Sequence, residues 1–230
     1  MINLKEVLIL ITSSLVLGYV TLSLSGFGWS LWLVSSALAL LILTVNSFGY
    51  KIGALFFNSN AEIHHWTLQQ YGFKEESYFK KPFPMWIFFP LLLYFITLET
   101  IKWLAITTFE ATPLPSRAQR KFSNITDWDL ALMAATGLLF NVVLAFLSKL
   151  LGYNSFASLN LAFVLFNLIP FGTLSGSKIL FGSRLLWVFS VVIALSMLLL
   201  FEIIGAVYTV ITAVILAAAV AALFYYLVEA

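Results

Sequence analysis

The chain has 230 residues, 62% of them hydrophobic, 17% aromatic and only 10% charged. An ordinary soluble domain is about 25% charged, and one of this size has too little interior to hide so much apolar surface. A soluble domain, a disordered chain and a collagen-like chain are therefore excluded. The net charge of +2 offers no basic field for nucleic acid, and the absence of cysteine removes disulfides, iron–sulfur clusters and thiolate zinc sites. What remains is an all-α polytopic membrane protein, a single integral domain over 1–230 with about 6–8 hydrophobic helical segments, whose first partner is the lipid bilayer.

The N-terminus lacks the charged region and small-residue closure of a cleaved signal and reads as a retained first helix. Residues 7–50 contain no Asp, Glu, Lys or Arg. As one helix they would be roughly 66 Å long, about twice the hydrocarbon core. The turn is expected at Ser25-Gly26-Phe27-Gly28-Trp29, giving one helix over about 6–25 and a second from about 30. Asn46-Ser47-Phe48-Gly49-Tyr50-Lys51 marks either a bend in one long helix or a joint between two. Helical character resumes at Ile52 and is expected to run to Tyr71, before Gly72. A polar loop with Lys74, Glu75, Glu76, Lys80 and Lys81 leads to Pro82 and Pro84, which open a helix over about 84–108. Within that helix Glu99 and Lys102 lie one turn apart and read as a local ion pair. A short β segment is expected near 105–115, where Ile106-Thr107-Thr108-Phe109 is β-prone. There follow a helix over about 128–150, a turn at Gly152-Tyr153-Asn154, and a short apolar segment over 156–169 stopped by Pro170. Residues 171–177 are loop-like, and from Leu185 to Val228 the only charge is Glu202, at the expected final turn.

Polar groups inside membrane segments are costly and mark candidate sites. The first cluster is Asn58-Ser59-Asn60-Ala61-Glu62-Ile63-His64-His65-Trp66, which holds both histidines of the chain. On a helix Ala61 and His65 share a face, with Glu62 beside them, while His64 and His65 point about 100° apart and do not chelate one metal naturally. The second is Asn167-Leu168-Ile169-Pro170-Phe171-Gly172-Thr173-Leu174-Ser175-Gly176-Ser177-Lys178, where Pro170 and two glycines unwind the chain. Irregular backbone of this kind fits a loop lining a polar cavity.

Together the clusters resemble the two active-site motifs of the site-2 protease family of intramembrane zinc metalloproteases. In that family one helix carries His-Glu-x-x-His, two zinc ligands around a general base. A later segment carries Asn-x-x-Pro-x-x-x-Leu-Asp-Gly, whose Asp is the third ligand. Asn167, Pro170, Leu174 and Gly176 fit the second pattern in register, and Glu62 and His65 fit the first. Gln69-Gln70-Tyr71-Gly72-Phe73 resembles the end of the family's motif helix, and Ala135-Thr136-Gly137-Leu138-Leu139-Phe140-Asn141 resembles its Ala-Gly-Pro-x-x-Asn. The resemblance covers about 50–190 and is greatest to compact archaeal-type members, which implies a multi-pass protein of a prokaryotic plasma membrane.

The departures fall on the chemistry. Ala61 stands where the first zinc-binding His belongs, Ser175 where the Asp belongs, and Leu138 where the middle motif has Pro. Catalytic zinc takes three protein ligands and a water. On this alignment His65 is a vestigial ligand and Glu62 a vestigial general base without activated water to serve. The resemblance thus implies an inactive copy with no cofactor, in which Asn141, Asn167, Pro170 and Gly172 line a groove for transmembrane clients or for the other subunits of a membrane complex. The alternative is an active intramembrane metalloprotease with altered ligands, which would require zinc.

Overall fold

The computed structural model of the chain describes residues 3–22, 28–70, 78–115 and 124–229. Among them are eight helices: α1 (Leu4–Thr21), α2 (Trp29–Phe56), α3 (Met85–Ile96), α4 (Asp127–Leu150), α5 (Asn154–Leu168), α6 (Ser175–Gly182), α7 (Arg184–Leu200) and α8 (Ala206–Phe224). A π-helical turn, Tyr225–Glu229, follows α8. α1, α2, α4 and the stretch Ala206–Val228 are long and apolar enough to cross a membrane. Four short strands, β1 (Ser59–His65), β2 (Leu68–Gln70), β3 (Tyr78–Phe83) and β4 (Thr107–Pro113), form two two-stranded sheets, β1 with β4 and β2 with β3. The protein is a helical membrane protein with small sheets rather than all-α.

The expected helix over 52–71 is corrected. α2 passes unbroken through Asn46-Ser47-Phe48-Gly49 and ends at Phe56. Asn58 then takes a left-handed φ of 48°, a conformation that Asn tolerates better than most residues and that ends a helix. Beyond it Ala61 and Ile63 are buried and Glu62 is exposed between them. That two-residue period belongs to a strand. The helix expected over 84–108 ends at Ile96, because Leu98 and Glu99 both have positive φ, 46° and 66°. The short β segment near 105–115 is found as β4. Residues 23–27, 71–77 and 116–123, which include much of the expected first turn, Gly72 and most of the polar loop, lie outside the described residues.

The chain divides into two compact units, one of residues 1–44 and 62–110, the other of 45–61 and 111–230. In the first unit α1 opens with a capping box between Asn3 and Glu6, which satisfies two orphan N–H donors. Ser36 of α2 sits so close to Gly18 of α1 that any Cβ there would overlap it. Trp32 Nε1 donates to the Leu15 carbonyl at 3.1 Å. At the other end of α1 the orphan carbonyls find partners. Lys102 Nζ donates to Thr21 O at 2.9 Å, and Tyr94 Oη to Leu22 O at 2.7 Å. A cation there complements the helix dipole, so Lys102 caps α1 rather than following Glu99 by a helical turn. Trp66, Phe89 and Trp103 form an aromatic core with ring centroids 4.8–5.8 Å apart.

In the second unit the C-terminal half of α2 packs on α4 through small residues. A Cβ at Gly49 would meet Gly137 Cα at 2.7 Å, and one at Gly53 would meet Met133 Cα at 3.0 Å. This is close packing of the small-xxx-small kind used by membrane helices. α4 starts at a capping box of Thr126 with Asp129. α5, α7 and α8 share an apolar core that includes Leu161, Met197, Phe201 and Ala213. The final turn falls at 201–205, where Ser158 Oγ donates to Glu202 Oε1 at 3.4 Å.

Candidate functional site

The two motif clusters of the sequence fall in different units, Glu62 and His65 in the first, Ala61, Asn141, Asn167, Pro170, Gly172 and Ser175 in the second.

In the first unit His65 lies on β1, not on a helix. Four residues along a strand span about 13 Å, so Ala61 and His65 lack the one-turn spacing of paired zinc ligands. His65 is held by its surroundings. Its ring stacks on Trp86 at 3.9 Å with an 11° interplanar angle. Thr12 Oγ1 lies 3.3 Å from its Nε2 and Ser13 Oγ 3.2 Å from its Nδ1. Burial, and then the neighbouring charge of His64, push its pKa down to about 4. Glu62 is exposed on the other face of β1. His64 Nε2 lies 3.9 Å from Glu110 Oε2, with both side chains well exposed, a pair that contributes little. The acid that is buried here is Glu6, which sequence reading missed. Its Oε1 accepts from the Ile63 backbone N–H at 3.0 Å and its Oε2 from Asn3 N at 2.8 Å.

In the second unit Ser175, the first residue of α6, is fully buried and its Oγ lies 2.6 Å from Tyr50 Oη. Asn46, one helical turn before Tyr50, lies beside the same phenol. The three side chains are all buried. Gly137 makes room for them, since a Cβ there would overlap the Tyr50 ring. Gly176 does the same for the turn after α5, lying against the Leu168 and Ile169 carbonyls. Asn141 Nδ2 donates to Asn160 Oδ1 at 3.0 Å between α4 and α5, and Asn167 Nδ2 donates to Phe163 O at 3.0 Å within α5. Asn46 Nδ2 and Asn167 Oδ1 are buried and have no hydrogen-bond partner. Pro170 and Gly172, the latter with φ 57°, lie in the exposed loop before α6.

Asn46 and Tyr50 were the residues not picked out from sequence as site members. Their signal is two polar groups four apart in a stretch otherwise free of charge. Among the described residues no group of three or more His, Cys, Asp or Glu is placed to hold a metal ion. No family model matches the chain, and neither a curated protein nor a solved structure matches it.

Proposed function

We propose that this chain is a site-2-protease-like membrane protein in which a neutral cluster of Asn46, Tyr50 and Ser175 replaces the metal centre. It holds transmembrane protein segments without hydrolysing them, alone or as a subunit of a membrane complex. The observation that carries the reading is the 2.6 Å contact between Tyr50 and Ser175. Ser175 is in register with the motif's ligand Asp, and its partner lies on a helix with a second polar residue four positions earlier. That is the i, i+4 spacing of the family's two histidines. Asn46 and Tyr50 then take the ligand positions and Ser47 that of the general base, in place of Ala61, His65 and Glu62. The glycine of the middle motif, Gly137, packs on the Tyr50 ring, which gives that motif a structural reason within the same cluster.

These donors do not fit zinc. A carboxamide, a phenol and a hydroxyl bring no imidazole and no carboxylate, so a dication among them would lack compensating charge in an apolar surround. Tyr50 and Ser175 instead use their hydroxyls on each other. Segment binding is supported by the buried, unpartnered Asn167 Oδ1, a polar atom on the motif segment that is left for a partner's backbone.

The test is reconstitution of the full chain with a reporter transmembrane substrate. The substrate is expected to stay intact and to be retained, with retention weakened by Asn167→Ala or Gly172→Val. Chelator-sensitive cleavage, lost in Glu62→Gln, would overturn the reading in favour of a protease with altered ligands.

A further inference from the structure

A long apolar groove runs between α5 and α7 in the second unit. Its volume is about 430 Å³, and its walls include Ala162, Phe166 and Ile169 on one side and Trp187, Val191 and Leu195 on the other. On α7 the lining continues to Leu198. Successive positions 184, 187, 191, 195 and 198 are three or four residues apart, so they share one helix face. Arg184 therefore stands at the head of the stripe that lines the groove. Beside it, at the corner where α6 meets α7, a second hollow of about 510 Å³ is bounded by Leu180, Phe181, Gly182, Ser183 and Arg184. Phe181 is 79% exposed at this corner.

We propose that a phospholipid occupies this site, with its phosphate on Arg184 in the corner hollow and one acyl chain in the groove. Three observations fix the occupant. The first is length. From residue 184 to residue 198 α7 rises roughly 21 Å, whereas one leaflet of a hydrocarbon core is about 15 Å, so the stripe accommodates a chain entering from one interface. The second is volume. About 430 Å³ along the roughly 17 Å from Trp187 to Leu198 suits one slender hydrocarbon chain. The third is charge. Among the described residues no carboxylate pairs with Arg184. Asp129, the next acid along α4 after Asp127, spends its Oδ2 on the Thr126 N–H at 3.0 Å. Gly182 rests against the backbone carbonyl of Asp127. A guanidinium at the membrane surface recognises phosphate with a planar fork of donors. Trp187, one turn along α7 from Arg184, donates its Nε1 to Leu168 O at 2.8 Å, and a Trp in that place suits the boundary between a headgroup and its chain.

The site uses none of the residues of the Asn46–Tyr50–Ser175 cluster, so it stands or falls separately. The experiment is native mass spectrometry of the delipidated full chain, titrated with dipalmitoyl phosphatidylglycerol and, in parallel, with inorganic phosphate. One lipid is expected to be retained per chain, and inorganic phosphate alone not to bind. Arg184→Gln is expected to weaken lipid binding about five-fold, the loss of one basic contact near a membrane surface. Leu195→Trp, at a position already 45% exposed, is expected to fill the groove and abolish retention. Leu223→Trp, on the exposed face of α8, is expected to leave it unchanged. Unchanged binding in either Arg184→Gln or Leu195→Trp would overturn the proposal. So would equal loss in Leu223→Trp, which would mean a non-specific lipid coat.

Discussion

The two units solve the problem of polar residues in an apolar chain differently. The second unit gathers neutral groups. Tyr50 bonds Ser175 between α2 and α6 with Asn46 beside it, and Asn141 meets Asn160 between α4 and α5. The first unit keeps groups that can ionise, Glu6 and His65, and ties them to α1 and β1 through backbone N–H and hydroxyl contacts. Spacing explains part of the contrast. Two residues four apart stand side by side on a helix but about 13 Å apart on a strand. The pair 46 and 50 can therefore act together on α2, while 61 and 65 cannot do so on β1. A pattern of residue types has chemical meaning only after the element that carries it is known.

The comparison can be broken most forcefully at Gly137. Replacement by Leu would drive a side chain into the Tyr50 ring and is expected to cost about 3 kcal/mol or more. Thermal unfolding in detergent checks this, with Leu139→Ala at an exposed position as the control. In the first unit, Glu6→Ala removes both the cap of α1 and the acceptor for Ile63 N–H, at an expected cost of about 2 kcal/mol. Glu6→Gln keeps an acceptor oxygen and is expected to cost clearly less. If the two variants are equally stable, Glu6 is not holding β1. Within the neutral cluster, Tyr50→Phe and Ser175→Ala are each expected to cost about 1 kcal/mol. The double variant is expected to fall short of their sum by a similar amount, because both remove one contact. Strict additivity would break the cluster.

The last effect separates the units by pH. The folded-state pKa of His65 is near 4, against about 6.5 for an unperturbed imidazole. The unfolded chain binds the extra proton first. The contribution of a neutral His65 is thus complete above about pH 6.5 and is lost as pH falls toward 4. His64 is the titratable neighbour that adds to the effect. His65→Gln is expected to flatten stability over that interval, and the neutral cluster of the second unit to show no slope of its own.

Much of the helical framework was legible from composition and from breaks in charge. α4 and α5 begin and end within a residue or two of where Asp127, Gly152 and Pro170 place them, and β4 was marked by its β-branched run. The segment after Phe56 was not. Its apolar positions read as a continuing helix because α2 is so long, and the period-two alternation of Ala61 and Ile63 covers too few residues to compete. Read as a helix, the segment puts Ala61 and His65 on one face, a spacing the strand does not keep. Ser175 was legible because Pro170 and Gly176 fix its register, but its partner Tyr50 lies 125 residues earlier. A phenol in a chain with 9 tyrosines carries no signal until folding brings it to the serine. Glu6 escaped notice for the opposite reason, since an acid three residues after Asn3 is fully explained by capping.

The most direct test of the central claim is zinc per chain in the purified wild type and in the triple variant Asn46→His, Tyr50→His, Ser175→Asp, after mild chelator washing. If those positions are the replaced metal ligands, the wild type should carry essentially no zinc and the folded triple variant about one ion per chain, held by two imidazoles and a carboxylate. A wild type with about one zinc, or a folded triple variant with none, would contradict the account.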